Sequence, residues 1–255
     1  MRMGFMARRL ARLARPYVFF DLGETIVNLG DTVPVLASIL ADRFPSITLD
    51  AAGTAKHWFI ELAEGVPRDP GASFETQYEV GRRILAGLLR ERGLRVHPNQ
   101  AGDLLREAWG TWQQKARLCE GVTKEWLTEV RRLSEAVGAV TDGDEADVHG
   151  LLEKMGLLRY FDSVTTSEAS RAYKPNPVVY QQALDSLSAE PGRSLFVSDS
   201  ILDLHGAHAV GMHSVWFRRN QTESAMGLPP RAVSVSHPRE LNKVLSRFRE
   251  TGKVG

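Results

Sequence analysis

Residues 17–26, with the sequence YVFFDLGETI, constrain the fold more than any other stretch of the chain. The run begins with four apolar residues, which is typical of a short strand buried on both faces. It then changes abruptly to Asp21, Gly23 and Thr25. An aspartate after a strand is often only a turn former or the N-cap of the next helix. This stretch alone therefore does not decide whether Asp21 has a structural or a chemical role.

Three further strand-like runs end in polar residues of matching chemistry. The runs cover residues 137–141, 163–167 and 194–198, and the polar residues that follow or close them are Thr141, Asp142, Lys174, Asp199 and Asp203. In a parallel α/β sheet, ligands bind outside the carboxyl ends of the strands. We therefore expect these residues to meet Asp21 at one site.

Residues 31–118 contain no convincing strand and show the spacing of amphipathic helices. The predicted helices begin near Val33 and cover residues 48–64, 74–92 and 99–118. Because this insertion follows the first strand, we predict an all-helical cap domain at 31–118. The core would then consist of 17–30 and 119–255, preceded by a basic N-terminal extension at 1–16.

Helices and strands alternate again after Cys119, ending with a short edge strand at Val233–Val235 and a closing helix after Pro238. Right-handed crossovers between the strands predict an α/β fold with a Rossmann-like, doubly wound parallel sheet. The acidic residues Asp144, Glu145 and Asp147 open a helix, where we expect them to complement the dipole of that helix.

The charge balance argues against nucleic acid or an anionic membrane as a partner. The chain has 32 Lys and Arg residues and 31 Asp and Glu residues, so its net charge is close to zero and creates no strong electrostatic field that would attract a polyanion. The single cysteine, Cys119, cannot form an internal disulfide, and no apolar run reaches membrane-spanning length. We expect a soluble, cytoplasmic protein, monomeric or homodimeric, that acts on a small molecule.

Taken together, the four motifs resemble those of the haloacid dehalogenase-like (HAD) superfamily, of the phosphatase type with an inserted helical, C1-type cap. The resemblance implies a nucleophile loop at 21–25, with Asp21 as nucleophile and Thr25 as a further catalytic residue. It also implies a phosphate-holding hydroxyl at Thr141 and a charge-balancing lysine at Lys174. The residues implied in substrate binding are Gly23, Thr141, Asp142 and Lys174, and those implied in metal binding are Asp21, the backbone carbonyl of Gly23, Asp199 and Asp203.

The activity implied by the resemblance is Mg²⁺-dependent hydrolysis of a small phosphorylated metabolite through an aspartyl-phosphate. Caps in this superfamily cover the carboxyl end of the sheet and contact the leaving group of the substrate. The candidate contacts in the cap are Lys56, His57, Arg68, Arg83, Trp109 and Lys115.

The sequence departs from the phosphatase pattern at Gly23, where these enzymes usually carry a second aspartate as general acid and base. Glu24 is adjacent, but neighbouring residues of an extended segment point to opposite sides, so we do not assign it that role. The missing acid leaves two alternatives open. One is a 2-haloacid dehalogenase that uses Asp21 as nucleophile without a metal, and the other is a catalytically weakened protein that binds a ligand or partner.

Overall fold

The computed structural model describes residues 15–68, 73–218 and 227–254, so most of the predicted basic extension lies outside the described residues. The strands are β1 (Tyr17–Phe20), β2 (Val27–Asn28), β3 (Arg117–Leu118), β4 (Val137–Thr141), β5 (Ser163–Thr166), β6 (Ser194–Ser198), β7 (His213–Phe217) and β8 (Val233–Val235). Six of them form one parallel sheet in the order β5-β4-β1-β6-β7-β8. The predicted doubly wound sheet is confirmed, and β1 lies inside it between β4 and β6.

Ten α-helices are described. They are α1 (Thr32–Arg43), α2 (Ala51–Gly65), α3 (Gln77–Glu91), α4 (Pro98–Lys115), α5 (Lys124–Leu133), α6 (Glu145–Lys154), α7 (Ser167–Ser170), α8 (Pro177–Ser186), α9 (Ile201–Ala209) and α10 (Pro238–Thr251). Short 3₁₀ turns at Pro45–Asp50, Leu158–Tyr160 and Pro191–Arg193 complete the regular structure.

The central strand β1 is buried on both faces, as its apolar run predicts. Val18 and Phe20 point into a core cluster that includes residues of α5, α6 and α10, whereas Phe19 points to the opposite face, against residues of α8 and α9. This alternation is the period of two that a strand imposes on its side chains. Helices therefore cover both faces of the sheet.

The helices α1 to α4 form the cap and pack around a core of their own. Its buried members include Leu36, Trp58, Leu89 and Leu105. Trp58 donates its indole N–H to the Gly81 carbonyl at 2.8 Å, which joins α2 to α3. The predicted all-helical cap is thus present in the fold.

A small two-stranded ribbon corrects the prediction that residues 31–118 contain no strand. β2 pairs antiparallel with β3, with Val27 opposite Leu118 and Asn28 opposite Arg117. The last cap helix accordingly ends at Lys115 and not at Leu118. The helix predicted from Thr48 begins at Ala51, because Pro45–Asp50 forms a 3₁₀ turn.

Candidate active site

Asp21 lies at the carboxyl end of β1, next to β6. Its backbone N–H donates to the Val197 carbonyl at 3.0 Å, and its side chain is only 8% exposed. Thr25 Oγ1 donates to Asp21 Oδ2 at 3.1 Å. The turn after β1 thus brings Thr25 back onto the aspartate and fixes one of its oxygens.

Lys174 holds the other oxygen of Asp21. Its Nζ lies 2.5 Å from Asp21 Oδ1 and 2.7 Å from Asp203 Oδ2, and all three side chains are buried. Ser198 Oγ also donates to Asp203 Oδ2, at 3.3 Å. The Lys174 ammonium therefore connects Asp21, at the end of β1, to Asp203 in α9, the helix that follows β6.

Burial dominates the electrostatics of these groups. It raises the pKa of Asp21 to about 7, and the Asp203 carboxylate acts in the same direction, while Lys174 opposes the change. Burial alone would lower the pKa of Lys174, but Asp203, Asp21 and Asp142 together raise it well above its ordinary value. The three carboxylates therefore outweigh the effect of burial and favour the charged form of Lys174.

Asp199 is connected to Asp21 by hydrogen bonds of both residues with the Thr25 hydroxyl. Its backbone N–H donates to Thr25 Oγ1 at 3.1 Å, and its Oδ1 lies 3.3 Å from the same hydroxyl. Trp216 of β7 donates its indole N–H to the Asp199 carbonyl at 3.0 Å, which anchors the loop after β6. Burial raises the pKa of Asp199, and the nearby Asp203 and Glu24 charges add to that effect.

Thr141 and Asp142 follow the neighbouring strand β4. Thr141 is buried at the end of that strand, and its hydroxyl donates to the Asp142 carbonyl at 3.3 Å. Asp142 Oδ1 accepts the backbone N–H of Lys174 at 3.0 Å. The polar residues predicted from four separate motifs therefore lie along adjacent strand ends, with Asp142 and Asp21 both contacting Lys174.

The turn at Gly23 differs from the extended segment assumed from the sequence. Gly23 does not need a left-handed backbone, and a Cβ built on it would meet no atom within 4 Å. Glu24 instead has the positive φ, at 52°, and its carboxylate accepts a hydrogen bond from Asn28 Nδ2 at 2.8 Å. The reason for excluding Glu24 was therefore wrong, because the backbone turns at this residue.

Of the six cap residues named from the sequence, Arg68 contacts residues of the site. Its Nε donates to the Lys174 carbonyl at 3.1 Å. Arg83 pairs instead with Glu75 on the surface, and Trp109 packs between the core and cap clusters. The other three are exposed, namely Lys56, His57 and Lys115.

Asp144 has a role that the sequence did not indicate. It makes no side-chain cap bond to its own helix α6. Its two oxygens accept the backbone N–H groups of Gln77 and Tyr78, at 2.8 and 2.9 Å, at the start of the cap helix α3. The expectation that Asp144 complements the dipole of α6 stays a prediction, and it did not include these contacts with the cap. The partners of Asp144 lie 67 and 66 residues away, so local charge patterning could not reveal them.

The donor set fits Mg²⁺. Within the described ranges no group of three or more His, Cys, Asp or Glu side chains is arranged as a metal site. Mg²⁺, however, is usually held by one or two carboxylates together with waters and substrate oxygens. The Asp21 and Asp199 carboxylates both lie within hydrogen-bonding distance of the Thr25 hydroxyl, and burial raises the pKa of each. A further cation would relieve this excess of buried negative charge.

A sequence profile described as haloacid dehalogenase-like hydrolase matches residues 17–211. The chain belongs to the haloacid dehalogenase-like hydrolase family. This match covers the strand ends that carry Asp21, Thr141, Lys174 and Asp199. The expectation of a HAD-type hydrolase is therefore confirmed.

Relatives of this HAD protein include both phosphatases and a dehalogenase. It is 24% identical to the glyceraldehyde 3-phosphate phosphatase of Pyrococcus furiosus, over 79% of this chain and 80% of the relative. It is 29% identical to phosphoglycolate phosphatase 1 of Pseudomonas aeruginosa, over 82% and 70%. It is 28% identical to the (S)-2-haloacid dehalogenase 4A of Burkholderia cepacia, over 48% and 53%.

Solved structures show the same fold. A HAD phosphatase from Thermococcus onnurineus superposes with a TM-score of 0.65 and 23% identity, covering 94% of this chain and all of the other. The L-2-haloacid dehalogenase of Xanthobacter autotrophicus gives 0.70 and 20%, covering 91% and 98%. None of the helices in the described ranges is long and apolar enough to cross a membrane.

Proposed function

We propose that this HAD-family hydrolase is a Mg²⁺-dependent phosphatase that acts on a small phosphorylated metabolite through an aspartyl-phosphate at Asp21. The observation that carries the proposal is a buried cluster in which the Lys174 ammonium contacts Asp21 and Asp203, and Asp199 is joined to Asp21 through the Thr25 hydroxyl. Asp199 is the discriminating member, because a phosphatase needs a carboxylate there for its cation.

In the proposed first step, an oxygen of Asp21 attacks phosphorus, and the bond between phosphorus and the leaving oxygen breaks. Thr25 and Lys174 each hold one oxygen of Asp21, so the plane of the carboxylate is fixed before substrate binds. The Lys174 ammonium is placed to balance charge on the transferred group. The leaving oxygen takes its proton from solvent or from the substrate, because position 23 carries no acid.

In the second step, water attacks phosphorus, the carboxylate of Asp21 departs, and inorganic phosphate is released. Asp21, Asp199 and the Gly23 carbonyl would hold the Mg²⁺. When bound, the ion supplies positive charge that offsets the repulsion between a carboxylate and a phosphate dianion. Asp203, predicted as a further ligand, pairs with Lys174 in this structure, and its role at the metal stays a prediction.

The metal test uses Asp199→Asn and, as a matched control, Asp103→Asn on an exposed face of the cap. We expect Mg²⁺ to support hydrolysis of an aryl phosphate and chelator to abolish it. Mg²⁺ at a hundred times its Kd should also stabilise the wild type and the control by about 2.7 kcal/mol, but not Asp199→Asn. Thermal unfolding measures the second effect without any turnover. Equal stabilisation of Asp199→Asn by Mg²⁺ would contradict the assigned ligand.

The Gly23 position gives a further prediction about the leaving group. We expect Gly23→Asp to fold and to raise turnover of alkyl phosphates more than that of aryl phosphates, because an alkoxide needs protonation. A positioned general acid contributes about 10²- to 10⁴-fold, which sets the upper range of the gain. The measurement is the ratio of kcat/KM for one alkyl and one aryl ester.

Gly23→Ala is the control, and the open space around Gly23 predicts that it folds normally. A well-folded Gly23→Asp with an unchanged alkyl-to-aryl ratio would show that the missing acid does not limit the enzyme.

The dehalogenase alternative is supported by the similarity to (S)-2-haloacid dehalogenase 4A and by the absence of an aspartate at position 23. The glycine itself opposes it, because dehalogenases of this family generally carry an aromatic residue there. In that reaction Asp21 would displace halide from carbon, and water would then hydrolyse the resulting ester. Halide released from a 2-haloacid in the presence of chelator would establish it. We favour the phosphatase because Asp199 places a second carboxylate beside the nucleophile through Thr25.

A further inference from the structure

Arg68, in the cap segment after α2, connects the cap to the backbone of Lys174. Its Nε donates to the Lys174 carbonyl at 3.1 Å, its Nη1 donates to the Ala63 carbonyl of α2, and its Nη2 lies 3.7 Å from Asp142 Oδ2. Asp142 Oδ1 in turn accepts the N–H of Lys174 at 3.0 Å. The peptide groups on both sides of the Lys174 Cα are therefore held, one by the core and one by the cap.

We propose that Arg68 is a positioning residue, which holds the backbone of Lys174 so that its ammonium remains between Asp21 and Asp203. The inference rests on the proposed function, because it assumes that Lys174 acts in phosphoryl transfer. An arginine suits this place, since its planar guanidinium donates in several directions at once. A movement of the Lys174 backbone would be transmitted to Nζ, whose contacts at 2.5 and 2.7 Å leave little tolerance.

The contacts of Arg68 favour positioning over direct recognition of substrate. Three of its nitrogens face protein acceptors, and the Asp142 carboxylate already offsets its charge. An anionic group of the substrate would have to compete with that carboxylate. We therefore expect the loss of Arg68 to lower kcat with little change in KM.

The cap also contacts the core through the loop after β4 and through the segment between α7 and α8. Asp144 binds the first N–H groups of α3, and the Tyr173 hydroxyl donates to the Glu75 carbonyl at 2.9 Å. The Phe74 ring also stacks on Tyr173, with ring centroids 5.3 Å apart. These contacts remain in Arg68→Ala, so the substitution removes the link to Lys174 while leaving the rest of the cap attachment in place.

The test combines amide hydrogen exchange with steady-state kinetics on Arg68→Ala, Arg68→Lys, Asp142→Asn and the double variant. Arg43→Ala is the control, since Arg43 pairs with Glu107 on the exposed side of the cap. The Lys174 amide stays bonded to Asp142 in Arg68→Ala, but the local opening that exposes this amide no longer has to break the Arg68 bond to the Lys174 carbonyl. We therefore expect exchange of the Lys174 amide to rise about tenfold to a hundredfold, the range for a charged hydrogen bond. We expect kcat to fall about tenfold to a hundredfold, as for a catalytic group misplaced by an ångström.

We further expect Arg68→Lys to recover part of both effects, because its amine can reach one acceptor but not all three. Asp142→Asn keeps an oxygen for the Lys174 amide and removes the charge that faces Arg68. If the three groups act as one unit, the double variant should therefore be no worse than the more severe single variant. Arg43→Ala should match the wild type in both measurements.

Unchanged exchange of the Lys174 amide in Arg68→Ala would overturn the inference, as would faster exchange with normal kcat. A raised KM with unchanged kcat would overturn it in favour of direct substrate contact. Failure of the proposed function is separately visible, because wild-type protein would then hydrolyse no phosphate ester. In that case Arg68 would position no phosphoryl-transfer lysine, whatever the exchange shows, and the inference would be overturned with it.

Discussion

We expect replacement of Lys174 by methionine to lower the free energy of unfolding by about 3 to 5 kcal/mol at pH 8, without metal. Methionine fills a similar volume but leaves the buried Asp21 and Asp203 carboxylates without a cation. The cost is large because an unpaired buried charge loses its hydration and gains no partner. Urea unfolding of the variant and the wild type measures it. Lys56→Met, on an exposed face of α2, is the matched control and should be neutral.

The deficit of Lys174→Met should shrink as the pH falls. Burial raises the pKa of Asp21 to about 7 in the folded protein even with Lys174 opposing it, and without Lys174 the pKa rises further. An unfolded aspartate has a pKa of about 3.9, so between these values the folded variant binds more protons than the unfolded chain. The folded wild type binds the same extra proton below about pH 7, so the two stabilities fall in parallel there. Above about pH 7 only the variant keeps the proton on Asp21, so its stability continues to fall as the pH rises and the deficit grows in that range. A deficit that is absent at about pH 8, or larger near pH 5, would contradict the assigned charges.

The second large effect concerns the nucleophile. We expect Asp21→Asn to lower phosphatase turnover by roughly 10⁴- to 10⁶-fold, the scale seen when a covalent nucleophile is removed. An amide can still accept from Thr25, so the fold should be kept, but it cannot form the acyl-phosphate. Steady-state assays with an aryl phosphate measure the loss, and near-native thermal unfolding confirms that the fold persists. Asp42→Asn, an exposed acid on α1, should retain full activity.

Substantial turnover by Asp21→Asn, after a contaminating phosphatase has been excluded, would contradict the assignment of Asp21. The thermal unfolding measurement ensures that a loss of turnover is not assigned to the missing nucleophile when the variant is simply unfolded.

The sheet and the positions of its polar strand ends were predictable, because they depend on local patterns. The strands β1, β4 and β6 are short apolar runs that become buried on both faces, and the side chains after them converge because parallel strands end at one edge. Asp21 and Asp199 therefore come close although 178 positions separate their numbers.

Contacts that depend on tertiary structure were not predictable. The two-residue strands of the β2–β3 ribbon are too short to show any periodicity. From the sequence, Asp144 was expected only to complement the dipole of its own helix. Its partners Gln77 and Tyr78 could not be foreseen, because they become neighbours only when the cap packs on the core. The turn at Glu24 was missed because an acidic side chain gives no sign of a positive φ.

The most direct test of phosphoryl transfer to Asp21 is the mass of the peptide that contains it, after enzyme and an aryl phosphate are mixed with Mg²⁺ and quenched in acid. We expect a phosphoryl group on Asp21 in the wild type, formed at least as fast as steady-state turnover and absent in Asp21→Asn. Lys174→Met should accumulate less of it. Steady product release with an unmodified Asp21 peptide, or a phosphoryl group on another residue, would contradict covalent catalysis at Asp21.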